Sequence, residues 1–129
     1  MPKRETKKSL LNVFTKGSTS SKCDDDIMMK SAFLCQKKFN DPIHGIISME
    51  KVCMAIIDTQ EYQRIRSQKQ LGTASFVFAG ATHSRFEHSL GVAHLAEMMV
   101  KKLMENQPGL GISTKDVICV KIAGLCHDL

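Results

Sequence analysis

The sequence contains no tryptophan, and aromatic residues make up only 5% of its 129 positions. This low aromatic content argues against a surface on which nucleic-acid bases stack. There is no run of 18 apolar residues, and no apolar stretch of signal-peptide length follows the first basic residues. The sequence therefore predicts neither a membrane span nor a secretory signal.

The five cysteines are an odd number and include no Cys-x-x-Cys pair. This pattern favours reduced thiols over a disulfide framework and is typical of proteins of the cytosol or nucleus. We therefore expect the protein in the nucleus, the cytoplasm or both.

All of the excess positive charge lies in the N-terminal part. Residues 1–39 contain nine Lys or Arg and four Asp or Glu, a net charge of +5, whereas residues 40–129 contain nine of each. A basic tail can contact phosphate backbones, so the composition allows single-stranded nucleic acid as a partner.

Two regions are predicted along the chain. Residues 1–36 are polar and irregular, and we interpret them as a disordered basic arm. Residues 37–129 have helical periodicity and are predicted to form part of one all-α domain. A short extended or β segment is expected near its start, at Ile46 and Ile47, after a turn at Pro42 and Gly45.

The strongest helix prediction runs from Arg85 to Glu105. A last helix is expected after Ser113, with the Asp116 carboxylate completing its cap, and it reaches Leu129 without a stop signal. This ending predicts a domain truncated after the His-Asp pair, which is expected to be only marginally stable by itself. The remaining predictions are a helical face at Val52, Ile56 and Ile57, a helix over Glu61–Gln70 ending at Gly72, and an extended piece over Ser75–Phe78.

Four residues combine metal-ligating and phosphate-binding side chains. Arg85 and His88 are three positions apart and share a helix face. Together with His127 and Asp128, His88 offers imidazole nitrogens and a carboxylate oxygen, a set suited to Fe, Mn or Zn. The guanidinium of Arg85 suits a phosphate oxygen.

Six blocks of the sequence occur in an order that resembles a known family. They read NDPIHG at 40–45, IDT at 57–59, QRIR at 63–66, KQLG at 69–72, RFEHSLGV at 85–92 and AGLCHDL at 123–129. The string resembles the first half of the HD domain of the SAM-and-HD-domain-containing deoxynucleoside triphosphate (dNTP) triphosphohydrolases. The resemblance implies an all-α HD-domain fragment of an enzyme of dNTP catabolism, with a role in antiviral defence.

The resemblance also implies a reaction and a metal site. The intact family hydrolyses dNTP to a deoxynucleoside and inorganic triphosphate, with Mg²⁺ accompanying the nucleotide. By this resemblance His88, His127 and Asp128 are metal ligands, and a fourth ligand, an Asp, lies beyond the present sequence. Arg85 is then the catalytic residue that grips the triphosphate, and Gln70 and Leu71 border the sugar.

Regulation is implied in the same way, through GTP or dGTP as activator and a homo-tetramer. Gln63 and Arg66 sit at helical spacing, so they would also suit a plain exposed polar face. Lys38 departs from the small apolar residue usual in the family. The implied activator site comprises Lys37, Asp58, Gln63 and Arg66, and the implied second, dNTP-filled regulatory site comprises Asn40, Val77 and Phe78.

Two alternative functions stay open at this point. The parent protein could be an HD phosphohydrolase that acts on another nucleotide. The short chain could also be a non-catalytic form that binds nucleotide and interferes with other chains.

Overall fold

The computed structural model describes residues 36–129, which are mostly helical with one two-stranded antiparallel sheet. The predicted all-α class with a short β segment is confirmed. The predicted arm lies outside the described residues except for its last residue, Gln36, which begins a strand. None of the helices within 36–129 combines the length and apolarity needed to cross a membrane.

A β-hairpin opens the described region. Strand β1 (Gln36–Asp41) pairs with β2 (Gly45–Glu50). The turn between them is fixed by the Asp41 carboxylate, which accepts hydrogen bonds from the backbone N–H of Ile43 at 2.9 Å and of His44 at 2.8 Å. Gly45 has φ +72°, which L side chains rarely adopt. The sequence predicted the turn and β2 but not β1.

The segment after the hairpin is more broken than the sequence predicts. Helix α1 (Lys51–Ile57) is followed by α2 (Gln60–Gln63) and a 3-10 turn (Arg64–Arg66). The predicted helix over Glu61–Gln70 therefore ends early. The reason is that residues 68–70 pair with the segment before the next helix: Gln70 N–H donates to the His83 carbonyl at 3.0 Å, and Arg85 N–H donates to Gln68 at 2.8 Å.

Two smaller predictions in this segment were wrong in part or in full. Of the predicted face, Ile57 is buried and Ile56 packs against the core, but Val52 is exposed, and Cys53 and Met54 complete the buried face of α1. The segment predicted as extended over Ser75–Phe78 overlaps a 3-10 helix (Gly72–Phe76), where the Ala74 carbonyl accepts from two successive N–H groups. Gly72 does have the predicted positive φ, +54°.

Two packed helices form the frame of the domain. Helix α3 (Arg85–Asn106) and helix α4 (Thr114–Cys126) each begin with a capping box, formed by Ser84 with Glu87 and by Ser113 with Asp116. The caps fix the first turn of each helix. The core between these helices, the hairpin and α1 comprises Ile47, Met49, Cys53, Met54, Ile57, Tyr62, Ile65, Phe86, Leu90, Ala93 and Leu125.

The two helices approach each other closely at Gly124. A Cβ on Gly124 would lie 3.2 Å from Ala93 Cα and 3.3 Å from the Val92 carbonyl oxygen, and neither backbone atom can rotate away. We expect Gly124→Ala to lower the free energy of unfolding by about 1–2 kcal/mol, because overpacking of about 1–3 kcal/mol outweighs a helix-propensity gain of about 1 kcal/mol. Urea denaturation measures the change.

The matched control is Gly91→Ala, at a buried glycine in helix α3. Its added Cβ would meet His44 Nε2 at 3.2 Å, the end of a side chain that can move. We expect this variant to be as stable as the unmodified protein or slightly more stable. Equal losses for both substitutions would refute the close-approach argument.

A buried ionic cluster also links α4 to the rest of the domain. Lys121 is 1% exposed, and its Nζ lies 2.8 Å from Glu50 Oε2, 2.6 Å from Glu97 Oε2 and 2.8 Å from the Ser48 carbonyl oxygen. The Cys53 thiol lies 3.7 Å from Glu50 Oε2. Burial, followed by the charge of Glu50, raises the pKa of Cys53 to about 11, so this thiol stays protonated at neutral pH.

Candidate metal centre

Three metal-ligating side chains converge where the start of α3 meets the end of α4. His88 lies in the first turns of α3, and His127 and Asp128 directly follow α4. One ligand atom from each lies within 4.8 Å of the others. The two histidine Nε2 atoms are 3.2 Å apart, and each is 3.6 Å from Asp128 Oδ2.

These separations fit three ligands of a single ion. Two atoms bonded to one ion at about 2.1 Å with an angle of about 90–110° are about 3.0–3.4 Å apart. The observed separations of 3.2 and 3.6 Å need only small side-chain movements to reach this range. Two imidazoles and one carboxylate suit Fe, Mn or Zn.

The orientation of His127 also favours metal binding. Its Nδ1 lies 2.7 Å from the backbone carbonyl oxygen of Gly124. Because a carbonyl oxygen only accepts hydrogen bonds, Nδ1 carries the proton in this contact and Nε2 presents its lone pair to the cluster. A backbone carbonyl behind a ligand histidine is a common way of fixing its tautomer.

Asp128 is held in its ionised form by its neighbours. Gln70 Nε2 donates a hydrogen bond of 2.9 Å to Asp128 Oδ2, and Arg85 Nη1 lies 3.8 Å from the same oxygen. The hydrogen bond from Gln70 is the main cause that lowers the pKa of Asp128; desolvation opposes it, and the charge of Arg85 adds to it. The structure thus gathers Arg85 and Gln70 around the three candidate ligands.

A cavity of about 520 Å³ opens beside His88. Its lining includes Asp41, His44, His83 and Glu87, none of which was predicted as a site residue from the sequence. His44 lies within the block at 40–45 and His83 lies just before the block at 85–92, but neither histidine gives a site signal of its own. Only the hairpin turn and the loop before α3 place these rings near His88.

Residues of the two predicted regulatory sites meet in a second cavity of about 360 Å³. Asn40 and Arg66 both line it, together with Phe86. The Arg66 guanidinium lies 3.5 Å from the centroid of the Phe86 ring, and its Nε donates to Gln63 Oε1 at 2.6 Å. Arg66 therefore already has a packing role on the aromatic ring.

The other predicted site residues lie apart from these two cavities. Lys37 is exposed on β1, and Asp58 is exposed after α1. Leu71, Val77 and Phe78 are 53%, 80% and 68% exposed. The structure thus brings the candidate metal ligands together but leaves Lys37, Val77 and Phe78 on the open surface.

Comparison with known proteins agrees with the resemblance. Residues 85–129 match the HD domain family. The chain is 57% identical over 93 residues to the deoxynucleoside triphosphate triphosphohydrolase SAMHD1 of Gallus gallus and 58% identical over 93 residues to that of Homo sapiens; each match covers 72% of this chain and 15% of the relative. A SAMHD1 homolog of Dictyostelium discoideum is 50% identical over 93 residues, covering 72% of this chain and 18% of the relative.

The chain therefore spans less than a fifth of the length of these relatives. The expected relationship to the HD-domain hydrolases is confirmed, since the matched region contains His88, His127 and Asp128.

Proposed function

Starting from the match of residues 85–129 to the HD domain family, we propose that this chain is part of a metal-dependent enzyme that hydrolyses dNTP to a deoxynucleoside and inorganic triphosphate. The observation that carries the proposal is the convergence of His88, His127 and Asp128 beside Arg85. The relatives, which are deoxynucleoside triphosphate triphosphohydrolases, support the substrate class.

Each residue of the cluster has a role that its geometry suits. His88, His127 and Asp128 would hold a divalent ion, which supplies Lewis-acid activation of water and neutralises phosphate charge. Arg85 already balances the Asp128 charge and has guanidinium donors left for a phosphate oxygen. Gln70 contacts Asp128 of the cluster, and the family resemblance expects Gln70 and Leu71 to border the sugar.

The cavity beside His88 is the candidate substrate site. Its volume of about 520 Å³ lies in the usual range for small-molecule sites, about 300–1,000 Å³. His44 and His83 give this cavity hydrogen-bond donors for phosphate oxygens. The carboxylates of Asp41 and Glu87 would repel a polyphosphate unless a cation accompanied it. Mg²⁺ bound to the nucleotide would meet that requirement.

A chimeric enzyme tests the proposed reaction. The 93 matching residues of the Gallus gallus relative are replaced with those of this chain, and dATP, dGTP, Mn²⁺ and Mg²⁺ are supplied. We expect deoxyadenosine and triphosphate by chromatography, and loss of both products with His127→Ala. Turnover of nucleoside monophosphates or cyclic nucleotides without dNTP turnover would instead support a different HD phosphohydrolase.

The proposal includes activation by GTP or dGTP at the second cavity. In support, Arg66 supplies a guanidinium for phosphate and Asn40 supplies an amide, and both line that cavity. We expect calorimetry to detect GTP binding that Arg66→Ala weakens by about 10-fold, the loss of one charge-assisted contact of about 1.5 kcal/mol. Arg64→Ala removes an exposed arginine of the same 3-10 turn and should leave the affinity unchanged.

The competing function is a non-catalytic chain that binds nucleotide. It predicts GTP binding by the 129-residue chain together with an inactive chimera. Equal losses with Arg66→Ala and Arg64→Ala would instead argue against the second cavity as the nucleotide site.

A further inference from the structure

The backbone of Gln70 is anchored to the entrance of α3. Its N–H donates to the His83 carbonyl at 3.0 Å, the adjacent Lys69 forms a β-bridge with Ser84, and Arg85 N–H donates to the Gln68 carbonyl. Gln70 therefore has a fixed position relative to the helix that carries His88.

The side chain of Gln70 uses this position to reach Asp128, 58 residues away in sequence. Its Nε2 donates to Asp128 Oδ2 at 2.9 Å, while Arg85 Nη1 is 3.8 Å from that oxygen and the two histidine nitrogens are 3.6 Å from it. Within residues 36–129, Gln70 thus makes the shortest polar side-chain contact with this carboxylate.

The oxygen atom of the Gln70 amide shows that this arrangement does not give the greatest folding stability. Gln70 Oε1 is buried and has no hydrogen-bond partner among the described residues. Such an unsatisfied acceptor costs about 1–3 kcal/mol. Turning the amide over would set its oxygen against the Asp128 carboxylate, so the donor orientation is the favoured one.

We propose that Gln70 is a positioning residue for the metal ligand Asp128, an inference that rests on the proposed metal site. A carboxylate oxygen has two lone pairs, and Oδ2 faces both Gln70 and the two histidines. The Gln70 amide occupies one lone pair of Oδ2. The second lone pair then faces the position at which an ion would contact both His88 and His127. The carboxylate is then ordered before the ion arrives.

Titration of the 129-residue chain with Mn²⁺, followed by electron paramagnetic resonance, tests this role. Removing such a supporting hydrogen bond typically costs 10–100-fold in metal affinity. We expect Gln70→Met, which keeps the side-chain length, and Gln70→Asn, which keeps the amide but not its reach, each to weaken Mn²⁺ binding by at least about 10-fold.

The matched control is Gln68→Met, an exposed glutamine of the same loop whose backbone contact with Arg85 survives the change. It should leave Mn²⁺ affinity unchanged, and circular dichroism should show that all variants are folded without metal. Equal Mn²⁺ affinity for Gln70→Met, Gln70→Asn and the unmodified chain would overturn the inference. Failure of the unmodified chain to bind Mn²⁺ would overturn the proposed metal site itself.

Discussion

We expect the Lys121→Met variant to unfold with a free energy about 3–5 kcal/mol smaller than that of the unmodified protein. Methionine fills most of the lysine volume, but it leaves the carboxylates of Glu50 and Glu97 without their shared cation. Their side chains are only 8% and 15% exposed, so water cannot fully replace the lost contacts. Urea denaturation followed by circular dichroism measures the difference.

Lys102→Met provides the control for a lost lysine charge. Lys102 pairs with Glu105 on the surface, where both side chains are more than 60% exposed. Surface pairs of this kind contribute about 0–1 kcal/mol. A Lys121→Met loss no larger than that of Lys102→Met would contradict the importance of the buried cluster.

A second variant covers the case in which Lys121→Met does not fold. Replacing Lys121 with Met and both glutamates with Gln removes the unpaired charges together. Because removing both partners of a buried pair is often nearly neutral, the triple variant should recover most of the lost stability. A triple variant as unstable as Lys121→Met would show that the lost charge balance is not the cause.

The cluster also predicts how the effect of Lys121→Met depends on pH. Burial alone would raise the pKa of Glu97, but hydrogen bonds from Lys101 and Lys121 outweigh it and lower the pKa. Burial alone would lower the pKa of Lys121, but its bonds to Glu50 and Glu97 raise it. The stability that ionised Glu97 contributes is fully present above its usual pKa of 4.5 and is lost on acidification. The stability that protonated Lys121 contributes is fully present below its usual pKa of 10.5 and is lost at higher pH.

The stability difference between Lys121→Met and the unmodified protein should therefore shrink on acidification, because protonation removes the buried charge that Lys121 neutralises. Urea denaturation at neutral and acidic pH measures it. A difference that grows on acidification would contradict the assigned charges.

Asp128→Asn is expected to reduce divalent-metal affinity by more than about 100-fold. The reason is that this substitution removes the only carboxylate of the candidate ligand set, an effect larger than the 10–100-fold typical of supporting residues. The neutral amide keeps nearly the same shape, so packing around Arg85 and Gln70 should be preserved. Mn²⁺ titration by electron paramagnetic resonance measures the affinity, and the same substitution should inactivate the chimera.

Asp116→Asn is the matched control at the other end of α4. It removes a carboxylate from the Ser113 capping box, which should lower the stability slightly. Mn²⁺ affinity should stay unchanged because Asp116 is remote from the ligand cluster along the helix. Equal losses of metal affinity in both variants would mean that general destabilisation, rather than ligand removal, accounts for the effect of Asp128→Asn.

The sequence predicted the two long helices that carry the site better than the segments packed around them. The two long helices follow from apolar periodicity and from the Ser113 cap, and both are present. The prediction of a helix over Glu61–Gln70 was wrong because its last residues pair with His83 and Arg85. Local spacing does not encode this interaction between distant segments. The strand β1 was missed since its residues Gln36–Asp41 show no alternation of apolar and polar side chains.

Two features of the site region needed the structure for different reasons. The contact between Gln70 and Asp128 joins residues 58 apart, so spacing alone could not predict it. Lys121, in contrast, had a usable signal: it lies four residues from both Val117 and Leu125 on the buried face of α4. A lysine in such a stripe requires buried partners, but only the fold identifies them as Glu50 and Glu97.

The central claim, that His88, His127 and Asp128 bind one metal ion, is tested most directly by pulsed electron paramagnetic resonance. The protein is labelled with ¹⁵N-histidine and loaded with Mn²⁺. We predict coupling of the bound ion to two histidine nitrogens, reduced to one by His88→Ala. Bound Mn²⁺ without any histidine coupling, or coupling that His88→Ala leaves unchanged, would contradict the account.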